Sequence, residues 1–138
     1  MSLRLIAAAV LLTGCGTPVV PQEAQSVRDF VVVTDLQQIE RIRLHQLHYT
    51  YVNDYFIGAS SGSGRYLVEF DSRCRALLSK TFTPAMVDSR FNSSYLSEGD
   101  TIRGCPVGGI YEATEEQLIE IKELSKAQAN NTVVPAEG

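Results

Sequence analysis

The sequence predicts an α+β fold: a small antiparallel β-sheet or partial barrel with a C-terminal α-helix and one disulfide. Three observations predict it. Between about residues 47 and 111, short segments rich in β-branched and aromatic residues alternate apolar with polar side chains and are divided by turn residues, the pattern of strands that bury one face. Thr114-Glu115-Glu116-Gln117 forms a capping box ahead of Leu118, Ile121 and Leu124, an apolar stripe at helical spacing. Two cysteines, Cys74 and Cys105, lie within the strand-rich part of the chain.

The chain opens on one positive charge, Arg4, followed by the apolar run Leu5 to Leu12 (LIAAAVLL) and then Thr13, Gly14 and Cys15. Eight apolar residues are too few to span a bilayer core as a helix, which takes about 20 residues, so residues 1–14 read as a removable signal peptide. Leu12-Thr13-Gly14-Cys15 resembles the lipobox of bacterial lipoproteins. The resemblance implies cleavage before Cys15 and acylation of its thiol and freed amine, giving a membrane anchor of several acyl chains. An aspartate after that cysteine typically retains such proteins at the inner membrane of Gram-negative bacteria. The residue here is Gly16, so the resemblance implies the outer membrane, facing the periplasm. An ordinary secretory signal with an incidental cysteine is the rival reading.

Removing residues 1–14 from the 138 leaves 124, enough for one domain. Of 12 basic and 16 acidic residues only Arg4 leaves, so 11 stand against 16 and the formal charge is about −5. That balance argues against a nucleic-acid surface, which requires a basic face. With Cys15 lipidated, Cys74 and Cys105 are an even pair in an exported chain and read as a disulfide closing 31 residues. A redox or metal-binding thiol pair is the alternative; the chain has no C-x-x-C, and neither histidine lies near either cysteine.

Within the mature chain, residues 15–27 (CGTPVVPQEAQSV) read as lipidated terminus and flexible tether, and residues 28–128 as one globular domain. Asp29 to Val33 (DFVVV) is β-branched and predicts a strand; Thr34-Asp35 then predicts the cap of a short helix carrying Leu36, Ile39, Ile42 and Arg43, although Ile42-Arg43-Leu44 equally fits the start of an alternating run. Leu47 to Val52 (LHYTYV) alternates, Asn53-Asp54 is a turn pair, and Tyr55 to Ile57 resumes the strand pattern. Gly58 to Gly64 (GASSGSG) predicts a flexible polar loop before a further strand, Arg65 to Phe70 (RYLVEF). Phe82 to Tyr95 predicts a long connection with a helical turn, Ser97 to Asp100 a turn, and Val107 to Tyr111 the last strand. The capped helix follows, and residues 129–138 have no stripe to bury and read as a disordered tail.

Three constellations could carry chemistry or binding. Gly58-Ala59-Ser60-Ser61-Gly62 matches G-x-S-x-G, but a nucleophile elbow needs a helix after the serine and then an acid and a histidine in that order, whereas here a strand follows and both histidines precede it. The segment also lacks the lysine and serine or threonine of a phosphate-binding loop. His45 and His48 form H-x-x-H, which with Asp54 could hold a metal if the two shared a helix face; on a strand they point apart. Tyr49, Tyr51, Tyr55 and Tyr66 fall on neighbouring strands and serve either as core or as an exposed partner surface. No catalytic residue, cofactor or metal is expected.

The segments "NDYFIGASSGSGRYLVEFDSRCRALL" and "YLSEGDTIRGCPVGGIYEAT" together resemble a family of small exported proteobacterial proteins of unknown function, over roughly residues 47 to 114. The features that carry the resemblance are the acidic turn before a strand, the Tyr-Leu strand leading to Cys74 and Leu77, the Gly99-Asp100 turn, and Cys105 ahead of the last strand. Pro106 departs from the pattern, which often has a basic residue there. The resemblance implies the disulfide and the envelope location and supplies no activity. The expectation is a non-enzymatic envelope lipoprotein, held to the membrane by Cys15, that binds or stabilises another envelope component; a small-ligand or metal binder, or an enzyme using His45, His48 and Asp54, is the alternative.

Overall fold

A computed structural model describes residues 22–62, 64–78, 87–88 and 94–131, with the side chains of residues 23 and 131 left out. The expected signal peptide, Cys15, the chain after residue 131 and most of the 82–95 connection lie outside the described residues.

The described residues form a curled antiparallel sheet, a half-barrel, with two helices packed on one of its faces. In sequence order the elements are α1 (Gln22–Val33), β1 (Arg41–Arg43), β2 (His48–Asn53), β3 (Phe56–Ser61), β4 (Gly64–Phe70), a single 3-10 turn (Arg75–Leu78), β5 (Val87–Asp88), β6 (Tyr95–Ser97), β7 (Thr101–Ile102), β8 (Cys105–Glu112) and α2 (Glu115–Asn131). Six strands form one sheet in the order β2-β3-β4-β8-β7-β5, and β1 pairs with β6 in a separate two-stranded ribbon.

Side-chain alternation divides the core in two. Ile57, Ala59, Val68 and Ile110 lie on one face, where Ile42 and Leu96 of the ribbon, with Leu44 and Leu47, cover them and form the first cluster. Phe56 and Leu67 lie on the opposite face and meet Ala24, Val27 and Phe30 of α1 and Ile121 of α2. Both faces of the central strands are therefore buried, Tyr66, Val68 and Phe70 of β4 serving the first cluster and Leu67 the second. The α2 helix comes close to β3 at Gly58, where a Cβ would stand in ordinary van der Waals contact, 3.8 Å, with Leu118 Cδ1.

The two N-terminal elements are exchanged relative to expectation. Asp29 to Val33 is the end of a helix, not a strand, and that helix starts at Gln22, inside the expected tether. Its stripe of Ala24, Val27, Phe30 and Val31 has helical spacing and docks on the sheet, and this burial outweighs the β preference of three consecutive valines. Thr34-Asp35 ends that helix where it was expected to begin another. The Asp35 N–H donates to Val32 O and the Leu36 N–H to Val31 O, Asp35 has a φ of 52°, and Leu36 and Val31 pack together on the second cluster, which makes a Schellman cap. The chain then runs extended beside β8, Ile39 donating to Ile110 O and Glu112 to Gln37 O.

Elsewhere the expected strands form, β3 longer than expected, and three short strands are added: β1, where Ile42 was expected on a helix, and β5 and β6, in and at the end of the expected connection. The glycine-serine segment expected as a loop is mostly strand: β3 runs to Ser61 and pairs with β4 up to Ser61 opposite Gly64. The β2-β3 turn is shaped by Asn53, whose side-chain oxygen accepts from the Tyr55 and Phe56 N–H groups. At the β7-β8 hairpin, Arg103 and Gly104 both take positive φ, as a two-residue turn with right-handed strand twist requires. Cys74 and Cys105 are bonded, with Cα atoms 5.7 Å apart, pinning the segment after β4 to the start of β8. The capping box is formed, Gln117 N–H donating to Thr114 Oγ1 and Thr114 N–H to Gln117 Oε1. The helix continues through Asn131, so the first three residues of the expected tail are helical.

Candidate functional site

The residues offered by the sequence for chemistry are placed apart or bonded to structural partners. His45 sits in the turn before β2 and His48 begins that strand, so they share no helix face. Asp54 lies beyond the far end of β2. Its carboxylate accepts from Tyr51 Oη at 2.6 Å and pairs with Arg73 Nε at 2.6 Å. Burial alone would raise the Asp54 pKa; the hydrogen bonds from Tyr51 and Arg73 and the charges of Arg73 and Arg75 outweigh it and hold the carboxyl below the usual range. Among the described residues no group of three His, Cys, Asp or Glu side chains is placed to hold a metal ion.

Strand pairing does bring His48 opposite Ser60, the serine of G-x-S-x-G, a neighbourhood that no spacing in the sequence reveals. The serine is on a regular strand with no helix after it, no hydrogen bond joins the two side chains, and Asp54 is tied up at the other end of the hairpin. The arrangement therefore lacks the base-to-nucleophile contact and the orienting acid that nucleophilic catalysis needs.

The tyrosines divide between core and rim. Tyr49, Tyr51 and Tyr66 pack against the first cluster and Tyr55 against the second, all partly buried. Burial raises the Tyr49 hydroxyl pKa well above its ordinary value. Tyr111 is also raised, first by burial and then by the adjacent Glu69 carboxylate, which takes its hydroxyl at 3.4 Å and pairs with Arg28 of α1 at 2.7 Å. This last trio ties α1 to the sheet.

One concave surface is built by two elements of defined geometry. The edge strand β2 and the C-terminal half of α2 flank a groove of about 560 Å³, walled by residues 49–53 on one side and by Lys122, Ser125, Lys126 and Ala129 on the other. Ser125 fixes the two walls: its hydroxyl donates to Val52 O at 3.3 Å and accepts from Asn53 Nδ2 at 3.2 Å. Lys122 and Lys126 are one helical turn apart, and none of the described residues lining the groove is acidic. A second hollow of about 390 Å³ lies between the end of α1 and the start of α2, beside Arg65 and Glu112.

A curled antiparallel sheet with an open edge strand and a helix beside that edge defines the class of fold. Comparison with family models, with curated proteins and with solved structures finds no match to this chain.

Proposed function

We propose that this chain is a lipid-anchored protein of the bacterial cell envelope that binds another envelope component and carries out no chemistry of its own. The lipobox Leu12 to Cys15 supports the anchor, Gly16 supports the outer membrane facing the periplasm, and the Cys74–Cys105 disulfide supports an oxidising compartment. The observation that carries the binding function is the groove along β2 and α2: an open strand edge held at a fixed distance from a helix is a preformed surface for another chain. The alternative, a ligand or metal site at His45, His48 and Asp54, requires Asp54 to leave both Tyr51 and Arg73.

In-cell crosslinking followed by mass spectrometry, comparing wild type with Cys15→Ser, tests the proposal. We expect one discrete envelope partner, enriched only when Cys15 is present. The same diffuse background from both forms would overturn it. Bound metal in the purified protein, lost in His48→Ala, would favour the alternative instead.

A further inference from the structure

We propose that the groove between β2 and α2 receives an extended acidic segment of a partner protein, added as a further strand on β2 with its carboxylates on Lys122 and Lys126. The inference deepens the binding-module reading and rests on it.

Four observations carry it. First, β2 is the outermost strand of the six-stranded sheet, and among the described residues no strand pairs with its far side. Natural proteins blunt such edges because they template strand addition. Here the blunting is partial: α2 closes the Asn53 end through Ser125, and the groove continues past it along residues 49–51.

Second, charge is complementary to an acidic guest. The chain has a formal net charge of −4 and three lysines, and two of those three stand on one wall of this groove with no carboxylate among its described lining residues. Lys126 does meet Glu123 at 3.4 Å, but both side chains are about two-thirds exposed, and a surface pair of that kind is readily exchanged for another.

Third, the spacing fits. Residues four apart on a helix are separated by about 6 Å along its axis. Alternate residues of a strand point to the same side and are separated by about 6.6 Å. Two acidic residues at i and i+2 of an extended segment therefore have the spacing of the two lysines. Fourth, Tyr49 and Tyr51 lie in the groove's strand wall and are held by the first core cluster, so they offer aromatic area to the guest with little side-chain entropy left to lose.

The test is a selection of random displayed heptapeptides on the full chain, followed by affinity measurement of the selected peptides by fluorescence anisotropy. We expect enrichment of peptides with Asp or Glu at alternate positions and β-branched residues between them. Binding should weaken by about tenfold or more in Lys122→Glu/Lys126→Glu, and a selection on that variant should return basic peptides. The neutral pair Lys122→Gln/Lys126→Gln, checked for an unchanged melting temperature, gives the intermediate affinity and separates charge from misfolding.

Selected peptides without acidic alternation, or peptides that bind the charge-reversed protein equally well, would overturn the proposal. So would a dimer in solution that Lys122→Glu/Lys126→Glu dissociates, which would make a second copy the occupant. If the crosslinked envelope partner persists unchanged in that double variant, the binding-module reading stands and the groove assignment falls. If peptides behave as expected and no partner is crosslinked in cells, the groove stands and the envelope reading falls.

Discussion

Asn53 is buried, and each of its polar atoms has a partner: the side-chain oxygen accepts from the Tyr55 and Phe56 N–H groups and the nitrogen donates to Ser125. Replacing it by alanine strands two N–H donors, that of Phe56 buried and that of Tyr55 partly so, and Asn53→Ala should cost about 2 kcal/mol in urea unfolding, and Ser125→Ala about 1 kcal/mol. The double variant should lose less than the sum, because the two share one bond. Asp54, next in sequence, gives a pH signature. Its carboxyl is held below the ordinary range, so its contribution is complete above the unfolded pKa of about 4 and is lost as the pH falls through the lower folded value. Asp54→Asn should therefore melt below wild type at pH 7 and converge with it at strongly acidic pH. The turn formed by these two residues was legible from Asn53-Asp54 between alternating segments. Their partners Ser125 and Arg73 were not, because they lie 72 and 19 residues away and no local pattern encodes such contacts.

At the scale of elements, the two helix ends make opposite lessons. Thr114 and Gln117 could be read directly, since a capping box is a local motif, and Thr114→Ala should cost about 1 kcal/mol. Thr34-Asp35 is as polar as a start signal, yet it stops α1, because the deciding information is the stripe Ala24, Val27 and Phe30 upstream and the left-handed conformation of Asp35. Propensity over Val31 to Val33 favours a strand; the end of α1 tolerates those valines because Val32 and Val33 are exposed and only Val31 must pack. Asp35→Gly should raise stability by about 1 kcal/mol in thermal unfolding by relieving the φ of 52°. The strands from β2 to β4 and β8 were legible because one-residue alternation survives even where both faces are buried. The β3 extension through the glycine-serine run was hidden because those residues carry no β preference and are held by pairing with β4.

For the whole molecule, the disulfide is the tie with the largest reach. It closes a loop of 31 residues that contains the 3-10 turn, β5, β6 and β7, and its removal should cost about 3 to 4 kcal/mol in the chain-entropy account. Cys74→Ser/Cys105→Ser should accordingly show a melting temperature lowered by more than any single substitution above, and adding reductant to wild type should approach the same value. The fold class and the bridge were legible from composition and pattern, whereas the groove was not: it requires knowing that β2 is outermost and that α2 returns across 70 residues to lie beside it.

The docking of α1 determines how the protein bears mechanical load. Any pull on the chain ahead of Gln22 acts along α1, whose grip on the rest consists of one apolar stripe and the Arg28–Glu69 pair. Such a contact detaches turn by turn, like tape lifted from one end, and it lies outside the loop that the disulfide locks. Tension from upstream would thus strip α1 while the cross-linked sheet keeps its shape.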